Sequence, residues 1–195
     1  MDARLLVRWK DKRASISPRV SHEIVIHSKI TGGRAAPRMN TDQSPIDDLI
    51  ARLSESLTVE VKRWISIDDP NGISKIVRGI LALRNRNGGY FVIGFDDKTL
   101  QPDSGNEPPN VRLAFHIDKV QGLVSRYASE LFEVSVVFGQ RDGHEYPVIV
   151  VPEGVKSPVA AKADLLDNDK KTTLIRYGEV YFRTLSANGM SCPAN

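Results

Sequence analysis

The side chains best suited to ionic or acid–base chemistry fall in two stretches, Ser54-Glu55-Ser56-Leu57-Thr58-Val59-Glu60-Val61-Lys62-Arg63-Trp64 and Ala82-Leu83-Arg84-Asn85-Arg86-Asn87-Gly88-Gly89-Tyr90-Phe91-Val92-Ile93-Gly94-Phe95-Asp96-Asp97. Carboxylates can hold a divalent cation, and Lys or Arg can meet a phosphate. Each group also has an ordinary structural reading. Glu60 and Lys62 can form a solvated ion pair worth about 0–1 kcal/mol, and Asp96-Asp97 is common turn composition after a strand. Arg84 and Arg86 suit the negative pole of a helix, Arg183 suits a cross-strand pair, and Gly88-Gly89 stops a helix in any protein. His22, His27, His116 and His144 show no metal-ligand spacing, and Cys192 has no second cysteine in the chain. Neither a disulfide framework nor a zinc–thiolate cluster can therefore form within it. Trp64 and Tyr90 read as core or rim residues.

These groups need elements to place them. Ser44-Pro45-Ile46-Asp47 reads as a helix start, with Ser44 as cap, Pro45 in the first turn, Asp47 at the positive end, and Ile46, Leu49, Ile50 and Leu53 at helical spacing. Residues 58–64 alternate, which puts Val59, Val61 and Arg63 on one strand face and Glu60 and Lys62 on the other. Asp69, Asn71 and Ser74 offer caps for a helix to about Arg84, which buries Ile73, Ile76, Val77, Ile80, Leu81 and Leu83 and ends at Asn87-Gly88-Gly89. Residues 90–95 read as a short apolar strand, 102–110 as a loop, and 115–127 as a third helix although Gly122 costs it about 1 kcal/mol. Apolar runs at 131–138 and 146–151 flank Arg141-Asp142-Gly143, a hairpin signal. A short strand at 158–161, a charged loop at 164–171 and a hairpin joining 173–176 to 180–183 follow. The order predicts a single α/β (α+β) domain in which helices cover a mixed sheet.

The first stretch resembles the Glu-Ser-x-x-x-Glu-Phe-Lys opening of the Schlafen-type divergent AlbA domain, with Val61 where that family commonly has Phe. The second resembles its Ala-x-x-Asn-x-x-Gly-Gly, strand, Gly-x-Asp-Asp segment, with Arg84 and Arg86 where smaller or polar residues are usual. Lys156-Ser157-Pro158-Val159 is similar to the family's Arg/Lys-x-Pro strand. Glu179-Val180-Tyr181-Phe182-Arg183, leading to Pro193-Ala194, is similar to its closing tyrosine-and-arginine element. The pieces occur in the family's order over roughly residues 50–195, and residues 1–45 have no counterpart.

The resemblance implies two readings. In one, the domain binds DNA or RNA without a cofactor: Lys62, Arg63, Arg84, Arg86 and Arg183 meet phosphates, and the Gly88-Gly89 backbone approaches the ligand closely because glycine lacks a Cβ. In the alternative, as in nuclease-active Schlafen proteins, Glu55, Glu60 and Asp97 form an acidic centre. They would hold Mg²⁺ or Mn²⁺ for metal-dependent endoribonuclease cleavage, with Lys62 neutralising a nonbridging oxygen.

The net charge of +3 conceals an asymmetry: residues 1–40 hold nine Lys or Arg against three Asp or Glu, and residues 41–195 hold eighteen against twenty-one. Polyanion binding must then rest on a local cation cluster or on the basic segment. The slightly acidic body keeps a third class open, a protein-interaction or oligomerisation module that pairs as a homodimer. No apolar run reaches the roughly 18 residues of a membrane span, and the N-terminus lacks the charged, apolar and small-residue succession of a secretory signal, so the cytoplasm is the expected compartment. Residues 1–44 are expected to be a poorly ordered basic arm, with 1–38 an extended reading upstream of a natural start at Met39, and 45–195 the AlbA-like domain.

Overall fold

The computed structural model describes residues 43–184 together with Cys192 and Pro193. The expected arm as far as residue 42, the Met39 start and Ala194 lie outside those residues. The first helix, α1 (Gln43–Ala51), is followed by β1 (Val59–Lys62), α2 (Pro70–Asn85), β2 (Gly89–Ile93), α3 (Val111–Ala114) and α4 (Ile117–Tyr127). Then come β3 (Ser135–Arg141), β4 (His144–Val151) and four short strands, β5 (Leu165–Leu166), β6 (Thr173–Ile175), β7 (Tyr181–Phe182) and β8 (Cys192–Pro193). The result is a mixed α/β domain whose main sheet has the order β1-β2-β4-β3. Strand β1 runs parallel to β2 through the α2 crossover, and β2 and β3 are antiparallel to β4.

Local chemistry explains most boundaries. Asp69 caps α2 by accepting from the backbone N–H groups of Asn71 at 3.0 Å and Gly72 at 3.2 Å, and Pro70 occupies the first turn. At the other end Gly88 N–H donates to Leu83 O at 2.8 Å and Asn87 N–H to Arg84 O at 3.0 Å, a Schellman motif with Asn87 in the left-handed region at φ 75°. The β3–β4 connection is the two-residue turn Asp142-Gly143, with φ of 53° and 81°, the signature of a primed hairpin turn. Asp47 does not act on the helix pole alone. Its Oδ1 accepts from Gln140 N–H at 2.9 Å, and Gln43 Nε2 donates to Phe138 O at 2.8 Å, which ties α1 to strand β3.

The two faces of the sheet follow from the register. Phe91 pairs with Ile149 and Gly139 with Tyr146, so Phe91 and Gly139 point to opposite sides. An added Cβ on Gly79 of α2 would meet the Phe91 ring at 2.1 Å, and one on Gly139 would meet Ile50 of α1 at 2.5 Å. Helices α2 and α1 therefore cover opposite faces. Strands β2 and β4 are buried on both, with Phe91, Val92, Ile93, Val148 and Ile149 at 0% exposure.

The second hairpin differs from expectation. A turn does form at 176–179, where Glu179 N–H donates to Arg176 O at 3.2 Å, but the chain beyond it is captured by the 160–161 segment. Ala161 N–H donates to Glu179 O at 2.8 Å and Ala160 bridges Val180, so β6 pairs instead with β5, inside the stretch expected to be a charged loop, and β7 pairs with β8. Among the described residues no helix is long and apolar enough to cross a membrane.

Candidate nucleic-acid interface

Glu60 and Lys62 share the sheet face of Phe91 and Ile93, and Glu60 is not solvated: its side chain is 1% exposed. One carboxylate oxygen lies 2.6 Å from Lys62 Nζ and the other faces the Arg183 guanidinium just beyond β7. Arg183, itself 5% exposed, also donates to Ser56 O at 2.6 Å and Val59 O at 2.9 Å. Burial pulls its pKa below the ordinary guanidinium value, and the charge of Glu55 works in the opposite direction. Glu55 Oε1 accepts from Val61 N–H at 3.3 Å. Together with the Ser56–Val59 bridge, these groups occupy the outer edge of β1, which would otherwise present free N–H and C=O groups to another strand. The arrangement clamps β7 to an edge strand.

The amino end of the β1–β2 pair corrects several expectations. Arg84 is buried, where it donates to Pro152 O at 2.8 Å and Glu153 O at 2.6 Å and lies 5.0 Å from the Phe132 ring centroid. Like Arg183 it is consumed by the fold, because a buried guanidinium must be matched by acceptors, and neither side chain faces solvent to meet a phosphate. Gly88 and Gly89 are buried as well. A Cβ on Gly89 would sit 2.4 Å from Thr58 O and one on Gly88 2.9 Å from Val151 O, so their missing side chains admit neighbouring strands and not a ligand. Arg86 is exposed at the C-cap of α2. It stands at the strand end opposite Lys62, about 13 Å away along β2 at 3.3 Å per residue. Asn85 carries no ionic chemistry, yet it donates to Val159 O at 2.9 Å and Tyr181 O at 3.0 Å and accepts from Val159 N–H at 2.6 Å. Asn85 and Arg183 thus bring all four motif segments together.

At the carboxyl ends of β1 and β2 the picture is different. Asp96 builds the 95–101 turn, accepting from Lys98 N–H at 2.9 Å and Thr99 N–H at 2.8 Å, and it pairs with Arg63, whose side chain is 60% exposed. Lys98 is exposed on the same turn. From the far end of β3, Arg141 donates to Gln101 Oε1 at 3.4 Å and lies 5.7 Å from the Phe95 ring centroid. Lys62, one quarter exposed, precedes Arg63. Three cations from three chain segments, Arg63, Lys98 and Arg141, therefore surround one turn, whereas the Lys62 side chain lies on the other sheet face against Glu60. Lys98 and Arg141 were not singled out in the sequence, and only the hairpin geometry that carries Arg141 beside Phe95 reveals them.

The acidic trio does not fit a metal ion. Both oxygens of Glu60 face cations, Asp96 is committed to its turn, and Asp97 is exposed on that turn. Among the described residues no group of three His, Cys, Asp or Glu side chains could hold one. Glu55, Glu60 and Asp97 therefore do not converge on a common metal position among the described residues.

No protein-family model matches the chain, and no curated protein matches it. Among solved structures, it is similar to the DIP2311 protein of Corynebacterium diphtheriae at 14% identity and a TM-score of 0.49 over 77% of this chain, spanning 26% of that one. It is also similar to the N-terminal domain of a RecG-related protein from Nitrosomonas europaea at 25% identity and a TM-score of 0.41, over 64% of this chain and 82% of that one.

Proposed function

We propose that this domain binds nucleic acid, DNA or RNA, through phosphates held by Arg63, Lys98 and Arg141 around the 95–101 turn. The observation that carries the reading is the convergence of these cations at the carboxyl ends of two parallel strands joined by a helix, the place where α/β sheets receive ligands. Arg63 and Lys98 are exposed to water, where a phosphate can compete with Asp96 for the guanidinium at little desolvation cost. Residues 1–40 carry an excess of cations, which favours association of the full chain with polyanions. Because residues 41–195 carry three more acids than bases, binding is local and strongly dependent on salt. The test is anisotropy of labelled DNA and RNA strands with the full chain and with Arg63→Ala/Lys98→Ala. The double variant is expected to lose most of the affinity, and equal binding by both proteins would refute the reading.

A further inference from the structure

The loop that carries the cationic turn also forms one wall of a groove of about 430 Å³. Asp103 N–H donates to Gly94 O at 2.8 Å, Trp64 N–H donates to Asp103 Oδ2 at 3.2 Å, and Trp64 Nε1 donates to Asp103 O at 2.8 Å. This pins the loop to the residue after Arg63. The opposite wall is the 65–69 connection and the first turn of α2, packed so closely that a Cβ on Gly72 would lie 1.8 Å from Ser66 O. The groove is thus preformed and shares its backbone with the cation cluster.

Its lining is mixed. Ile67, Pro108 and Ala114 give an apolar part, Asn106 offers a side-chain amide, the carboxylates of Asp69 and Asp68 are engaged by the α2 amides and by Lys119 at 3.5 Å, and exposed Lys75 has no ion-pair partner among the described residues. The helix amides are not the attraction here, since Asp69 already accepts from Asn71 and Gly72 N–H. The volume falls in the range of roughly 300–1,000 Å³ typical of small-molecule sites, which suits a base with its sugar and excludes a duplex. An apolar part for a base face, an amide for a base edge and an unpaired ammonium for a phosphate match the parts of one nucleotide.

We infer that this groove receives one unpaired nucleotide of a single strand whose neighbouring phosphates lie on the Arg63, Lys98 and Arg141 cluster. The inference rests on the nucleic-acid reading above and sharpens it: the domain selects single strands over duplexes. The phosphates give affinity without base dependence, and the groove adds the base-dependent part.

The experiment measures binding of the full chain to a short labelled single strand, to the same strand made abasic, and to the duplex, at one salt concentration. The base-bearing strand is expected to bind about tenfold more tightly than the other two, the gain of one well-placed base. Ala114→Trp, which fills the groove, is expected to narrow that ratio while leaving the slope of affinity against salt unchanged, and Lys75→Ala, which removes a phosphate contact, is expected to lower that slope by about 1 and leave the ratio unchanged. Equal binding of base-bearing and abasic strands, or a ratio untouched by Ala114→Trp together with a slope untouched by Lys75→Ala, overturns the inference while phosphate binding stands. Displacement of the strand by nucleoside monophosphates at equal concentration also overturns it, in favour of a free nucleotide. No binding of any strand overturns both readings.

Discussion

Arg183 donates to the Val59 carbonyl at 2.9 Å across 124 residues of chain, and the same guanidinium faces the buried carboxylate of Glu60. Removing one partner of a buried pair strands the other charge without compensation, which costs about 3–5 kcal/mol. Arg183→Ala is expected to lower the urea midpoint accordingly. Arg183→Lys should not restore it, because an ammonium cannot span a carboxylate and two carbonyls as a planar fork does. A midpoint within experimental error of wild type would show that the clamp is dispensable.

Gly88 has φ +97° and its Cβ direction points at Val151 O. Gly88→Ala is expected to lose about 1–3 kcal/mol of stability through strain and overpacking. The affinity of the folded protein for nucleic acid should be unchanged, since the residue faces a strand and not a ligand. A selective loss of binding at unaltered stability would restore Gly88 to the interface.

The Tyr181 phenol is held above its ordinary pKa of 10, first by burial and then by its hydrogen bond to Glu179. Below pH 10 the phenol is protonated in both folded and unfolded chains. Above it the unfolded chain releases its proton first, so stability falls as pH rises toward the higher folded value. Tyr146 is raised in the same direction, mainly by burial. Tyr181→Phe should therefore flatten, but not abolish, the alkaline limb of stability against pH, as read by denaturant titrations. An unchanged limb would contradict the shift.

Because both Glu60 oxygens face cations, incubation of RNA or DNA with the protein and Mn²⁺ is expected to leave the strands intact. Cleavage that requires Mn²⁺ and disappears in Glu60→Gln, with folding confirmed by circular dichroism, would reinstate the acidic centre.

What the sequence makes legible is local. Asp69 before Pro70, Asn87-Gly88-Gly89 after α2, and Asp142-Gly143 between two apolar runs each determine a boundary by their own backbone chemistry, and each boundary falls where those residues put it. Alternation likewise places Glu60 and Lys62 on one face. Alternation cannot say whether that face is wet, and Glu60 is buried because Arg183 arrives from the far end of the chain. For the same reason Arg84 reads as a surface cation until the Pro152 and Glu153 carbonyls are seen around it. The pairing of β6 with β5 was hidden because 164–171 reads as a charged loop, while the chain beyond the 176–179 turn goes to the 160–161 end of the expected strand at 158–161 and not back onto β6. Arg141 shows the converse: a hairpin-end residue in sequence, it gains its place beside Arg63 and Lys98 only from the length of β3 and β4.

The central claim is that phosphates lie on the cations around the 95–101 turn, and the slope of log affinity against log salt measures it most directly. Wild type, Arg63→Ala, Lys98→Ala and Arg86→Ala are to be titrated against one strand across a range of salt. Each of the first two variants is expected to reduce the slope by about 1, one phosphate contact apiece. Arg86→Ala, at the far end of the sheet, should run parallel to wild type. Four parallel lines, or a slope lost only in Arg86→Ala, would contradict the account.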